Sequence, residues 1–121
     1  RAAIADRFPD GAVRPPADPG DRTSAHHLFP VAIDFAGRGL DRGALMHALA
    51  ARGVGTQVHY IPLTEQPFHR ARAGAHADLP RPGAAAYYAR TLSLPMYPGL
   101  DDAAVSAVVD ALAACLTELS R

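Results

Sequence analysis

GVGTQVHYIP, residues 53–62, is the most informative stretch of this sequence. Gly53 is a suitable end for a helix, because glycine adopts the left-handed backbone of helix C-caps without a steric cost. Residues 54–61 predict a half-buried strand, since polar and apolar side chains alternate after Gln57. Pro62 ends this strand. The histidine and the tyrosine near its end are therefore expected on opposite faces.

A strand and a helix are predicted immediately before this stretch. HHLFPVAIDF, residues 26–35, is apolar and predicts a strand, and Pro30 within it indicates an edge position or a bulge. Asp41 is a good N-cap for a helix over 42–52, because its carboxylate accepts a hydrogen bond from a free backbone N–H. Residues 26–61 thus predict a strand–helix–strand unit.

The second half predicts one more strand between two helices. Residues 62–82 are interpreted as a long loop, 83–90 as a short helix and 91–98 as a strand that a proline ends. Asp101 or Asp102 caps a last helix with one apolar stripe. We expect an α/β (α+β) fold in two layers, with a three-stranded sheet, at least partly antiparallel, and helices packed on one face.

The composition limits the partners of the chain. Its 121 residues suffice for one domain, and twelve arginines balance twelve acidic residues, which argues against nucleic-acid binding. No apolar run is long enough to span a bilayer, so we expect no membrane partner. Cys115 is the single cysteine; it fits a reducing compartment, hence the cytoplasm, and its helical apolar pattern predicts a buried, unreactive thiol.

Motifs for catalysis or metal binding are not found. The chain has no lysine, so it cannot form a Schiff base with a carbonyl substrate or with pyridoxal phosphate (PLP). The six histidines lack metal-site spacing, and no nucleophile–base pair is evident, so we expect no metal and no catalytic residue. The remaining indication of function is the position of residues at the end of a predicted strand. His59, Tyr60 and the loop after them either contact a ligand at one sheet edge or fill a core or an interface.

Three ordered segments resemble one known family. They are HHLFPVAID at 26–34, GVGTQVHYIPLTEQPFHR at 53–70 and AAAYYARTLSLPMYPGLDDAAVSAVVDAL at 84–112. They resemble the C-terminal domain of the DegT/StrS family, which are PLP-dependent sugar-nucleotide aminotransferases, and the nearest branch is the 4-aminotransferases of pseudaminic acid biosynthesis. The likeness covers about residues 24–115.

The resemblance implies both a fold and an activity. The fold is the small C-terminal domain of the aspartate-aminotransferase-like PLP fold, over residues 24–121, preceded at 1–23 by the end of an inter-domain helix and a linker. The activity is transfer of an amino group, from glutamate, to a keto-sugar nucleotide such as a UDP-4-keto-6-deoxy-hexosamine. PLP would be bound by a missing large domain, and the full-length protein would be a homodimer. Because the chain starts at Arg1 within a helical pattern, we expect a C-terminal piece that is inactive alone.

The resemblance also assigns the site residues. His59, Tyr60, Ile61 and Pro62 would form one wall of the substrate site, and no residue here would be catalytic or would bind the cofactor. Relatives often carry a second histidine shortly after the proline, where this chain has Thr64. This difference implies an altered wall, so the resemblance does not specify the exact sugar.

Two alternatives remain open at this point. A non-catalytic α/β module that senses a small ligand has the same order of elements, and it should fold and bind alone. The tail of a PLP-dependent sugar dehydratase of the same family would also match. That choice depends on whether a lysine or a histidine faces the cofactor in the large domain.

Overall fold

The computed structural model describes residues 1–17, 20–21, 24–72, 74 and 80–120. This part contains an antiparallel sheet in the order β1-β2-β3, whose strands are β1 (Val13–Arg14), β2 (Phe29–Ile33) and β3 (Thr91–Leu94). The helices are α1 (Ala2–Arg7), α2 (Arg42–Ala50), α3 (Pro67–Arg70), α4 (Pro82–Arg90) and α5 (Asp102–Leu119), and a 3₁₀ turn covers Leu63–Glu65. The expected α/β class with a three-stranded sheet is confirmed.

The core lies between one face of the sheet and three helices. Val31 opposes Leu92 across the β2–β3 pair, so both side chains point to the same face. That face packs against buried residues of α1, α2 and α5, among them Leu45 and Leu112, which have no exposed surface. Full burial of one such side chain stabilises the fold by about 1.5–3 kcal/mol. The apolar stripe predicted for the C-terminal helix therefore lies in the core, where α5 packs against α1 and α2.

Both predicted N-caps are confirmed. Asp41 accepts a hydrogen bond from the backbone N–H of Ala44 at 2.6 Å, and Asp101 accepts one from Ala104 at 2.7 Å. Each bond satisfies one of the backbone donors that a helix start leaves free. Gly53 has a φ of +76°, which is the left-handed conformation expected where the α2 turn ends.

Arg42 ties α2 to the junction between α4 and β3. Its guanidinium carbon lies 4.6 Å from the ring centroid of Tyr88. The same group donates to the carbonyl oxygens of Tyr88 and Thr91. At the other end of α2, Arg52 contacts both carboxylate oxygens of Glu118 at 2.7 and 2.8 Å. These two arginines fix α2 at both of its ends.

The predicted strand at 54–61 is wrong. Only Gln57 pairs there, in a single bridge to Ser93. Glycines at 53 and 55 and the proline at 62 flank this residue, and these residue types weaken a ladder. The third strand of the sheet is instead β1, inside the predicted linker at 9–23, where Val13 is buried. Two residues are too few to show an alternating pattern.

Other predicted boundaries change for local reasons. β2 begins at Phe29 and not at residue 26, because His26 has a φ of +50°, which is not a strand conformation. β3 ends at Leu94 and not at residue 98, since the proline that follows cannot donate to a ladder. β1 pairs only with Ala32 and Ile33 of β2 and does not reach Pro30. On that side, β2 is therefore an edge strand at Pro30.

The predicted loop at 62–82 contains helical structure. The 3₁₀ turn and α3 occupy its first half, and Pro67 stands in the first turn of α3, where a missing N–H costs nothing. Residues 73 and 75–79 of that loop lie outside the described residues. None of the helices described here has the length and hydropathy to cross a membrane.

Candidate functional site

Residues 59–62, the predicted substrate wall, leave the sheet edge beside β3. Gln57 and Ser93 exchange backbone hydrogen bonds of 3.2 and 2.8 Å, which fix the chain two residues before this segment. After the segment, Gln66 Nε2 donates to the carbonyl oxygen of Ile61 at 3.4 Å. The segment is thus held at both ends. The structure brings the four predicted residues together as one short, anchored run.

His59 is half-buried, and its imidazole is anchored to Ser93. Nδ1 of His59 lies 2.8 Å from Oγ of Ser93, a side chain from β3 that is buried. The peptide bond between His59 and Tyr60 is cis. The ring of Tyr60 meets the imidazole edge-on, with centroids 4.8 Å apart and an interplanar angle of 87°. Because one ring nitrogen is hydrogen-bonded and a second ring flanks it, the imidazole has a defined orientation.

An exposed apolar surface follows directly. Tyr60 is 69% exposed, and Ile61, Leu63 and Phe68 are each at least half exposed. We call these four residues the apolar ridge. Large apolar side chains that stay in water as a group mark a binding surface. Tyr60 therefore does not pack in the core of this chain, whereas contact with a ligand or a partner fits its exposure. Thr64, the departure from the family pattern, is half-buried between them.

A small cavity opens beside His59, and we call it the polar cavity after the five polar side chains in its lining, which are His27, Thr56, Gln57, His59 and Ser93. Its volume is about 140 Å³, and apolar residues such as Leu94 and Met96 complete the lining. Pockets for drug-sized ligands measure about 300–1,000 Å³. The cavity is therefore large enough for a ring substituent or a few water molecules but not for a whole sugar nucleotide. Any larger ligand must lie mainly outside it, along the surface that residues 59–62 form.

Cationic side chains lie next to the apolar ridge. The guanidinium carbon of Arg72 is 3.8 Å from the ring centroid of Phe68, and its Nη1 donates to the carbonyl oxygen of that residue at 3.4 Å. Arg70 and Arg72 are exposed and form no ion pair within the described part of the chain. Such guanidinium groups suit phosphate oxygens. Sequence reasoning named neither Arg72 nor Ser93, because only the fold brings them to this site.

Two other cavities are less suited to a polar ligand. One, of about 180 Å³, lies between α1, β3 and α5 and has an apolar lining that includes Ile4, Met96 and Val105. The other, of about 440 Å³, is bordered by Arg52, Tyr97 and mostly apolar residues such as Leu100 and Val108. Arg52 is already engaged by Glu118. The cavity beside His59 is the candidate site because a residue of the predicted substrate wall lines it.

The remaining chemistry-bearing residues do not join the site. Cys115 is fully buried in α5, and burial raises the pKa of its thiol, as expected for an unreactive cysteine. His47 is exposed on α2. No group of three potential metal ligands occurs among the residues with described positions, and His76 lies outside them.

The chain is similar in sequence to a polysaccharide biosynthesis protein. It is 36% identical over 93 residues to the spore coat polysaccharide biosynthesis protein SpsC of Bacillus subtilis (strain 168). This similarity covers 76% of the chain but 24% of SpsC. The chain therefore corresponds to about a quarter of the length of that relative.

Solved aminotransferase structures share the fold. Helicobacter pylori PseC, an aminotransferase involved in the biosynthesis of pseudaminic acid, superposes with a TM-score of 0.79 at 19% identity, over 97% of this chain and 31% of PseC. The aminotransferase TlmJ of Streptoalloteichus hindustanus gives a TM-score of 0.71 at 28% identity, over 99% of this chain and 32% of TlmJ. NtdA of Bacillus subtilis, solved with bound PMP, gives 0.72 at 22% identity, over 96% of this chain and 26% of NtdA.

The residues of this chain do not fit PLP as a covalently held cofactor. The sequence contains no lysine, so no side chain here can bond to the cofactor aldehyde. The polar cavity beside His59, at about 140 Å³, is also too small to enclose it. Whatever this chain contributes to such chemistry is therefore binding and positioning.

The fold, the motifs and the comparisons lead to one family. The sequence profile of the DegT/DnrJ/EryC1/StrS aminotransferase family matches residues 4–113. This range includes all three strands of the sheet and the whole of the segment 59–62. The chain belongs to the DegT/DnrJ/EryC1/StrS aminotransferase family.

Proposed function

We propose that this chain forms one wall of the sugar-nucleotide site of a PLP-dependent aminotransferase. The observation that carries the proposal is the placement of residues 59–62. An oriented His59 imidazole stands at a small polar cavity, and the exposed Tyr60 stands beside it. The PLP-binding large domain would lie in the part of the relatives that this chain does not match. The chain alone would then be inactive.

The side chains of this wall suit the parts of a sugar nucleotide. His59 and Gln66 offer hydrogen-bonding groups for sugar hydroxyls. Tyr60 and Phe68 offer exposed ring faces, against which a sugar or a base can pack. Arg72, held against Phe68, offers a guanidinium group for a diphosphate. The segment thus combines polar, aromatic and cationic contacts within fourteen residues of chain, 59–72.

Finer features of the proposal rest on the family resemblance. The substrate would be a UDP-4-keto-6-deoxy-hexosamine of the pseudaminic acid type, which the fold shared with PseC supports. Glutamate would be the amino donor, and the cytoplasm the site of action. PseC and TlmJ are both aminotransferases, which favours amino transfer over dehydration. The sensing-module alternative has no specific observation in its favour.

The apolar ridge supports the proposed homodimer. Four large apolar side chains would otherwise remain in water, and their burial is favourable. A second copy of the full-length protein, or its large domain, would cover them. Because the ridge adjoins His59, the substrate site would then lie at this boundary.

His59→Ala in the intact enzyme tests the proposal. Loss of one hydrogen bond of about 0.5–1.5 kcal/mol should raise KM for the sugar nucleotide by about two- to tenfold. The absorbance of bound PLP should not change, because the chain does not hold the cofactor. His47→Ala, an exposed histidine on α2, is the matched control. An unaltered KM in His59→Ala would remove His59 from the wall.

A further inference from the structure

The hydroxyl of Ser93 has a single hydrogen-bonding partner. The backbone N–H and carbonyl of Ser93 both bond to Gln57, and its side chain is only 4% exposed. Within the described residues, Nδ1 of His59 is the one group at hydrogen-bond distance from its Oγ, at 2.8 Å. The hydroxyl proton therefore has one acceptor available to it.

This geometry decides the direction of the hydrogen bond. A buried hydroxyl whose proton finds no acceptor destabilises the fold. If His59 carried its proton on Nδ1, Oγ of Ser93 would accept that hydrogen bond, and the hydroxyl's own proton would have no acceptor among the described residues. If the proton is on Nε2, Nδ1 accepts from the Ser93 hydroxyl. The second arrangement satisfies both groups.

Nε2 of His59 is the second hydrogen-bonding atom of the ring. It has no hydrogen-bond partner among the residues that the structure describes. In that same part of the chain, no buried side-chain nitrogen or oxygen lacks a partner. Because His59 is half-buried and Nε2 is unpaired, this atom must reach solvent. The nearest open space lined by His59 is the polar cavity.

We propose that Ser93 is a positioning residue that holds His59 as the Nε2–H tautomer, so that Nε2–H donates a hydrogen bond to an acceptor oxygen of the substrate. The acceptor would be a hydroxyl or carbonyl oxygen of the sugar. The identity of the ligand rests on the proposed function, whereas the tautomer rests on the geometry alone. In this state Nε2 is a donor and not a base, so His59 recognises the sugar without removing a proton from it.

The tautomer is measured directly by NMR. The intact protein is labelled with ¹⁵N at histidine, and the His59 signals are those that disappear in His59→Gln. Long-range ¹H–¹⁵N correlations should show a protonated Nε2 and an unprotonated Nδ1. A protonated Nδ1 in the neutral ring would overturn the proposal. This NMR measurement needs no variant of Ser93.

The variant Ser93→Ala then tests whether the Ser93 hydroxyl sets the tautomer of His59. The tautomer preference should be lost, giving a mixture of both forms, and Ser93→Thr should restore it because it keeps the hydroxyl. Ser106→Ala, a serine whose hydroxyl donates to the carbonyl of Asp102 on α5, is the matched control. A pure Nε2–H form that persists in a folded Ser93→Ala protein would show that Ser93 does not set it.

Kinetics separate this proposal from the proposed function. Ser93→Ala should raise KM for the sugar nucleotide with kcat little changed, by no more than His59→Ala does. The double variant should be no worse than His59→Ala alone, since both act through one group. A raised KM in His59→Ala with normal KM in Ser93→Ala would leave the wall in place and overturn the role of Ser93. A normal KM in both variants would overturn the proposed function itself.

Discussion

His59 and Ser93 are 34 positions apart in the chain, yet Nδ1 of one lies 2.8 Å from Oγ of the other. The Gln57–Ser93 bridge creates this closeness, because it brings the segment before His59 against β3. A single backbone bridge thus joins a strand of the core to the surface that we assign to substrate. The stability of the core and the geometry of the site are coupled at this point.

Leu112→Ala should destabilise the fold strongly. Leu112 is fully buried in α5, and removal of a buried leucine side chain costs about 2–5 kcal/mol. Leu119→Ala is the matched control, because Leu119 is exposed at the end of the same helix and lies outside the apolar ridge. Urea unfolding of the intact protein measures both. Equal losses of unfolding free energy would contradict the described core.

Alkaline pH should weaken the fold through Cys115. Desolvation by burial raises the pKa of its thiol above the ordinary value of 9.0, although the nearby Arg52 opposes this. The unfolded thiol therefore ionises at lower pH than the folded one, so the unfolded state binds fewer protons and unfolding free energy falls as pH rises through 9.0. Cys115→Ala should show a shallower decline with pH in the same urea experiment, and parallel curves would exclude this effect.

Arg72→Gln should weaken binding of the diphosphate. An exposed ionic contact contributes about 0.2–1 kcal/mol, so KM for the sugar nucleotide should rise about two- to fivefold. The difference should shrink at high salt, because exposed charges are screened. Arg38→Gln is the control, since Arg38 faces Asp10 at 3.8 Å in an exposed pair before α2. If salt leaves the difference intact, Arg72 does not act through charge.

Phe68→Asp should weaken the proposed homodimer. A carboxylate placed in the apolar ridge would have to be desolvated on association, which is unfavourable. Sedimentation of the intact protein should show dissociation at concentrations where the parent chain is dimeric. Leu119→Asp, which changes an apolar residue exposed at the end of α5, should leave association unchanged. A Phe68→Asp protein that remains fully dimeric would place the interface elsewhere.

Much of the fold was predictable from local signals. Asp41 and Asp101 act as N-caps through short-range hydrogen bonds, and the apolar stripe of α5 repeats over many turns. The sequence does not predict β1, because its two residues form a strand only through their pairing with Ile33 and Ala32. The strand predicted at 54–61 is wrong because alternation of polar and apolar residues reflects side-chain exposure and not backbone pairing.

The site was predictable only in part. The assignment of residues 59–62 to a substrate wall comes from family motifs and stays a prediction, and the structure places these residues beside β3. Ser93 was not found, because a serine within an apolar strand has no local sign of a partner 34 positions away. Arg72 was not found either, since its stacking on Phe68 depends on α3, a helix inside the predicted loop. Contacts between segments that are distant in the sequence can be identified only once the fold is known.

A crystal structure of the intact protein with its bound sugar nucleotide would be the most direct examination of the substrate wall. We expect Nε2 of His59 at about 2.7–3.2 Å from an oxygen of the sugar, with Tyr60 against the ligand and Ser93 still bonded to Nδ1. A sugar nucleotide bound elsewhere, with His59 and Tyr60 in contact only with solvent or protein, would contradict the assignment.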